Sequence, residues 1–195
     1  MDERQPLDER QPLSGKAAIV TGAGSGLGRA ESLALARAGA LLVLNDLPGD
    51  PVRETAEQIG AAGGQAVTCE GDIGEWETGE RLVSAALRAY GRLDILVNNA
   101  GVLRDRMIFS MSAEEWDTVL RVHLRGHFVT TRFATAHWRE QSKAAGAPVY
   151  GRIVNTSSEA FLLGSAGRSR SPWLGPGHWS CSTTWPATRC TKRLS

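Results

Sequence analysis

Thr21 and the glycines at 22, 26 and 28 form the pattern Thr21-Gly22-x-x-x-Gly26-x-Gly28, directly after the apolar run Ala17-Ala18-Ile19-Val20. An apolar run that enters a glycine-rich turn and leaves into an alanine- and leucine-rich stretch reads as a strand, a tight turn and a helix N-terminus. Backbone amides in such a turn point outward unpaired, and the helix dipole adds partial positive charge, so a pyrophosphate can bind there without a dedicated side chain. Ser25 and Leu27, between the glycines, belong to the same cradle. The spacing is not the commoner G-x-G-x-x-G, which would need glycine at Leu27, Arg29 or Glu31. A glycine-rich turn alone is also a plain connector, so residues downstream have to decide.

Four further constellations follow in order. Asp46 ends the apolar run Leu41–Asp46, about twenty residues beyond the glycines, where a carboxylate can accept hydrogen bonds from an adenosine ribose. Asp72-Ile73 follows a third apolar run. Asn98-Asn99-Ala100-Gly101 follows a fourth, Leu93–Val97, and the stretch Gly151–Ser158 reads as a fifth strand ending in the pair Ser157-Ser158.

Over residues 14 to 158 these motifs resemble the short-chain dehydrogenase/reductase family, and in particular members close to the dehydrogenase domain of peroxisomal multifunctional enzymes. The resemblance implies an NAD(P)-dependent oxidoreductase in which a nicotinamide and a small-molecule alcohol or carbonyl compound exchange a hydride. It assigns the cofactor to Thr21, Gly22, Ser25, Gly26, Leu27, Gly28, Asp46, Asp72, Ile73, Asn99, Ala100 and Gly101. Asp46 would favour NAD over NADP, because a carboxylate repels a 2′-phosphate. Arg53 is a nearby cation that could equally be a solvated helix residue. Ser158 matches the serine that holds the substrate oxygen. His123, in Val122-His123-Leu124-Arg125-Gly126, stands where the family usually has a relay asparagine, and a packed histidine without chemical duty is the alternative reading.

In the family a tyrosine passes the proton, and a lysine one helical turn later favours its ionised form. Neither has a counterpart here. Ser171 and Gly175 occupy the nearest matching positions, Tyr150 precedes the fifth strand, and Lys192 lies too far along. The resemblance therefore implies the cofactor cradle of an oxidoreductase with no turnover in this chain. The alternatives are a catalytically silent nucleotide-binding module that acts by oligomerising, or nucleic-acid or partner binding through the tail. Family members pair through the fourth helix and the helix after strand five, and that pairing is expected to be impaired.

The elements that must position these residues alternate apolar runs with helical periodicity, which predicts a parallel sheet covered on both faces. The expected fold is a doubly wound α/β domain of Rossmann type, sheet order 3-2-1-4-5, incomplete because its last two strands are absent. Helix one ends near Gly39, and helix two starts with Asp50 as N-cap and Pro51 at the first helical position. Strand three covers Gln65–Cys69. Helix three runs from Trp76 to the stop signal Gly91. Ser112-Ala-Glu-Glu115 reads as a capping box for a long fourth helix. In that helix Trp116, Leu120, Leu124 and Phe128 recur every fourth residue, which reads as a core stripe. Gly126 signals either close approach of another backbone or tolerated strain.

The chain has 195 residues, enough for one domain with a core, and a formal charge of +1, which gives no general reason to expect nucleic acid. Cys69, Cys181 and Cys190 show neither metal-ligand spacing nor a disulfide framework, so no metal is expected and a reduced, cytoplasmic setting fits. No run approaches the length of a membrane span. Residues 1–13 contain the repeat Asp-Glu-Arg-Gln-Pro-Leu twice and read as a flexible extension, 14–166 as the nucleotide-binding domain, and 167–195 as an irregular tail. After Glu159 come five cations and no carboxylate, and Trp173, Trp179 and Trp185 are half of the tryptophans. The tail reads as out of frame with an ancestral coding sequence; an evolved arginine- and tryptophan-bearing segment suited to single strands is the rival reading. Abrupt loss of pattern, capping and order predicts that the alternative frames beyond roughly codon 165 encode a Tyr-x-x-x-Lys helix and two apolar strands. Frames holding only stops would refute the frameshift.

Overall fold

The computed structural model describes residues 11–104 and 107–157. The chain divides into two compact units, the larger formed by residues 1–104 and 111–156, the smaller by 105–110 and 157–195. The described part of the smaller unit includes the single 3-10 turn Ile108–Ser110, where the Ser110 amide donates to the Met107 carbonyl. Ser158 and the tail lie outside the described residues.

In the larger unit the order of elements is β1 Ala17–Thr21, α1 Gly26–Arg37, β2 Leu41–Asn45, α2 Asp50–Ala61, β3 Gln65–Thr68, α3 Trp76–Tyr90 and β4 Ile95–Asn98. There follow α4 Ala113–Leu120, a π turn Arg121–Gly126, α5 His127–Ala145 and β5 Arg152–Asn155. The sheet is parallel throughout with order β3-β2-β1-β4-β5, as the alternation of apolar runs and helical periods requires. β1, β2 and β4 sit in the middle and are buried on both faces, which is why their sequences read as unbroken apolar runs rather than alternating ones. Ala18, Val20, Leu42, Leu44 and Val97 pack with Val52 and Ile59 of α2 on one face. Ile19, Val43 and Leu96 pack with Leu82 and Ala86 of α3 and Ala134 and Trp138 of α5 on the other. Two buried polar tips are satisfied by strand backbone: Trp138 Nε1 donates to Leu93 O at 2.7 Å, and the Tyr90 hydroxyl to Leu42 O at 2.9 Å.

Element ends follow the expected chemistry with small shifts. Gly39 and Gly91 close α1 and α3 in the left-handed region, at φ of 90° and 70°. The residue capping α2 is Gly49 rather than Asp50, which is already helical; Pro51 still sits in the first turn, where its missing N–H breaks no helical bond. The capping box of α4 is present, with the Glu115 amide donating to Ser112 Oγ and the Ser112 amide to Glu115 Oε2.

Two expectations about the fourth helix are corrected. The long helix is divided by the π turn, and the Trp116, Leu120, Leu124, Phe128 stripe is exposed, Leu124 at 68% and Phe128 at 57%. The buried face of α5 is instead Val129, Thr130, Ala134 and Trp138. Four-residue spacing marks an apolar helix face but does not say what covers it. Gly126 does mark a close approach, but to a side chain: a Cβ there would lie 2.5 Å from Ile73 Cδ1.

Asp94, just before β4, anchors the opposite end of the sheet from the glycine turn. Its carboxylate accepts from the Ala17 amide at 2.9 Å and from Arg92 Nε and Nη2, both at 2.7 Å, with Lys16 Nζ 3.6 Å away. Burial pushes the carboxyl up, but these hydrogen bonds and the two cations outweigh it and hold it below its ordinary value. A carboxyl whose value is depressed by folding stabilises the fold above its unfolded value and loses that contribution as pH falls through the folded one. Asp94→Ala, which strands the buried Ala17 amide, is expected to cost about 2 kcal/mol in urea unfolding at neutral pH. The gap to wild type should narrow below about pH 4. A gap that is constant from pH 7 to pH 2 would contradict this assignment.

Candidate functional site

The carboxyl ends of β1 and β4 are tied together by one hydroxyl. Thr21 Oγ1 accepts from the Asn99 amide at 3.0 Å and the Ala100 amide at 3.1 Å, and donates to Val97 O at 3.4 Å. Asn99 returns the contact, its side-chain amide donating to the carbonyls of Thr21 and Gly22 at 3.2 and 3.4 Å. The glycines let these two turns touch. A Cβ on Gly22 would lie 2.8 Å from Ala100 Cα, and one on Gly28 would lie 2.0 Å from Gly22 O and 2.5 Å from Asn99 Nδ2. Gly26 has a different reason: its φ is 51°, and a Cβ there would meet only open space.

Above this knot lies a cavity of about 550 Å³. Gly22, Ser25, Gly26, Leu27, Asp46, Asp72, Ile73, Asn99, Ala100 and Gly101 all line it, while Thr21 and Gly28 are buried beneath. The structure thus brings together all twelve residues expected to form the cradle. A larger crevice, about 760 Å³, lies at the other end of the sheet between the C-terminal ends of α1 and α2. Its amides at Gly39, Ala40, Gly63 and Gly64 are already bonded to helix carbonyls, so it offers a ligand few donors. In open α/β sheets chemistry collects at the carboxyl ends of the strands, and the smaller cavity is the one placed there.

The floor of the cavity suits an anion. Ser25 caps α1 in extended conformation without a side-chain hydrogen bond, and no acidic residue stands in the first turn, so the amides and dipole of that end are not neutralised. A dinucleotide fits this floor, because the glycines that a Cβ would block leave backbone within reach of a pyrophosphate. On the far wall Asp46 accepts from the Gly24 amide through Oδ2 and from the Leu47 amide through Oδ1, both at 2.8 Å. Asp72 accepts from the Gly74 amide at 2.7 Å and pairs with Arg121, which also pairs with Glu75. Arg53 is not free: Glu70 takes its Nε at 2.8 Å and its Nη2 at 3.3 Å.

His123, in the π turn, reaches the loop after β4. Its Nε2 lies 3.1 Å from the Val102 amide and 2.8 Å from the Val102 carbonyl, and a Cβ on Gly101 would sit 2.7 Å from its Cε1. His127, one turn on, places Nε2 3.3 Å from Ala100 O. Burial holds His127 below its ordinary value, the Ala100 carbonyl opposing and the charge of His123 reinforcing that shift. Both imidazoles therefore support the cavity wall. Ser158, the other expected catalytic residue, lies outside the described residues.

Sequence reasoning missed the supports. Asn98, buried at the end of β4, donates to Thr131 Oγ1 and Asn155 Oδ1 and accepts from Thr130 Oγ1 at 2.6 Å, joining β5 and α5 to the cavity rim. Its signal was a polar residue closing an apolar strand. Neither Arg29 nor His127 belongs to a motif that marks its contact with the turns.

The profile of the short chain dehydrogenase family matches residues 16–170. The chain belongs to that family. Among its relatives, the hydroxyacyl-CoA dehydrogenase ChsB1 of Mycobacterium tuberculosis is 53% identical over 162 residues, 80% of this chain and 51% of that protein. Peroxisomal multifunctional enzyme type 2 of Mus musculus is 43% identical over 164 residues, 80% of this chain and 21% of that protein. A solved short chain dehydrogenase from Mycobacterium avium superposes with TM-score 0.73 at 47% identity, covering 77% of this chain and 55% of that one. The chain thus spans about half the length, or less, of these relatives. Among the described residues no helix is long and apolar enough to cross a membrane, and no cluster of three or more His, Cys, Asp or Glu side chains could hold a metal.

The Thr21 knot makes a stability claim. Thr21→Val removes the acceptor of two amides and should lower stability by about 2 kcal/mol in urea unfolding, whereas Thr21→Ser should restore most of it. A valine variant as stable as wild type would show that the hydroxyl does not hold the two turns.

Proposed function

We propose that this chain is the nucleotide-binding part of an NAD-dependent short chain dehydrogenase of the CH–OH/carbonyl class, and that the chain itself does not turn over. The observation that carries this reading is the uncapped, unneutralised N-terminus of α1 beneath a cavity whose far wall holds Asp46. The amides of Ser25 to Gly28 would take the pyrophosphate, Asp46 the adenosine ribose, Asp72 and Ile73 the adenine, with Thr21 and Gly22 shaping the floor and Asn99 to Gly101 the remaining wall. When bound, the nicotinamide supplies the hydride chemistry. Two arginines support NAD over NADP by being committed elsewhere: Arg53 is held by Glu70, and Arg29 by the Gly24 and Pro51 carbonyls and the Thr55 hydroxyl, leaving neither available to a 2′-phosphate. NADP is the less favoured cofactor.

The substrate class follows the relatives' names: a hydroxyacyl-CoA, with Ser158 holding the reacting oxygen. His123 stands at the relay position, but its Nε2 is engaged by Val102, which supports a role in holding the loop. Neither tyrosine has a lysine four residues on: Asp94 follows Tyr90 at that spacing, and Val154 follows Tyr150. This is the observation that favours a silent nucleotide-binding module over a working enzyme. Residues 14–166 form the binding domain, between the extension 1–13 and the tail 167–195. The setting is cytoplasmic, and the exposed stripe from Trp116 to Phe128 supports self-association, weakened if the helix after strand five is missing.

Calorimetry should show NAD binding more tightly than NADP; equal or tighter NADP binding would overturn the role of Asp46. In the same sample, hydride transfer with hydroxyacyl-CoA substrates should be undetectable, since loss of the proton-transfer residue alone removes about 10²–10⁴ in rate. Robust turnover abolished by Ser158→Ala would overturn the silent reading.

A further inference from the structure

Arg29 lies one turn into α1, where a cation opposes the helix dipole and gains nothing from local helix chemistry. Its guanidinium bridges the glycine turn ahead of α1 and the first turn of α2. Nε donates to Gly24 O and to Thr55 Oγ1, both at 3.0 Å, and Nη2 donates to Pro51 O at 3.1 Å and to Glu54 Oε2 at 3.0 Å. Thr55 Oγ1 itself donates to Pro51 O at 3.0 Å, so the first turn of α2 closes around the same group. Gly24 is therefore held through both of its flanking peptide groups: Arg29 donates to its carbonyl, and its amide donates to Asp46 Oδ2. The fit is close, since a Cβ on Gly24 would lie 2.8 Å from Asp46 Oδ2 and 3.1 Å from Pro51 Cβ.

We propose that Arg29 is a positioning residue for cofactor choice: by fixing residue Gly24 against α2, it orients the Asp46 carboxylate toward the ribose of NAD. This rests on the cofactor reading above. Asp46 is tethered by two backbone amides, and only one of them, Leu47, is its own neighbour; the other belongs to the glycine turn. Free Gly24 and the carboxylate loses one of its two tethers, and the discrimination that depends on its orientation weakens. The surface ion pair to Glu54, whose side chain is 58% exposed, is not the agent, because such pairs contribute little. The fork geometry is. Lysine preserves the charge but cannot meet a carbonyl of each element and a hydroxyl at once.

The test uses the full chain and three variants. Arg29→Lys and Arg29→Met should each weaken NAD binding in calorimetry by roughly tenfold while leaving NADP binding nearly unchanged, so that the NAD:NADP preference shrinks. Glu54→Gln should leave both affinities at wild-type values. Hydrogen exchange without nucleotide is the independent arm, with the Gly24 amide exchanging faster in Arg29→Lys and unchanged in Glu54→Gln. A merely structural role would lower both affinities together and leave their ratio intact, which overturns the proposal, as does an Arg29→Lys variant with wild-type preference and exchange. If the wild type binds neither nucleotide, the proposed function falls. The exchange arm then still decides whether Arg29 holds the turn.

Discussion

The close contact between the glycine turn and the loop after β4 is the constraint from which the cavity follows. β1 has β2 on one side and β4 on the other, so at its carboxyl end the chain leaves in opposite directions and a crevice opens between the departing segments. That crevice has a defined shape only if its two lips are fixed to each other. Thr21 does this with one hydroxyl serving two amides and a carbonyl, and Asn99 does it with an amide serving two carbonyls. Neither arrangement is possible unless the backbones meet at distances that exclude a Cβ on Gly22 and Gly28. The glycine spacing is thus as much a packing requirement as a phosphate requirement.

Electrostatics around the cavity follow one rule. The arginines near it are each committed to acids or carbonyls: Arg29 to Glu54 and two carbonyls, Arg53 to Glu70, Arg121 to Asp72 and Glu75. Attraction for an anion is left to the backbone amides and the dipole of α1. Fixed backbone donors lose no side-chain entropy on binding, and they recognise a pyrophosphate without favouring an additional 2′-phosphate.

What could be read from the sequence was whatever depends on local pattern. The strands were apolar runs, the cradle was glycine spacing, and Asp46 and the Asn-Asn-Ala-Gly loop stood at strand ends; all of these arrive where the pattern put them. What escaped was long-range. Nothing local in Arg29 tells that it will reach Pro51 and Thr55, and nothing in Asn98 tells that it will join Asn155 across the sheet. The stripe of Trp116, Leu120, Leu124 and Phe128 misled for the same reason, since periodicity reports an apolar face and is silent about its partner. Gly126 signals a close backbone approach or strain in the sequence, and only the fold reveals that the neighbour is the Ile73 side chain.

The π turn joins these threads. An extra residue per turn is a costly way to build a helix and is found mostly where a site needs it. Here it spans Arg121–Gly126 and carries, within six residues, the arginine that pairs with Asp72, the histidine that meets Val102 and the glycine that admits Ile73. Two sides of the cavity wall, at Asp72-Ile73 and at Val102, are thereby referred to one short segment. His127 begins the regular helix immediately after it and reaches Ala100. A straight α-helix turns by about 100° per residue, so the π turn changes which of residues 121, 123, 126 and 127 face the cavity wall. The irregularity therefore stands as the means by which one helical segment braces both the Asp72-Ile73 side and the Asn99–Val102 side of the crevice, while the apolar stripe along it faces outward.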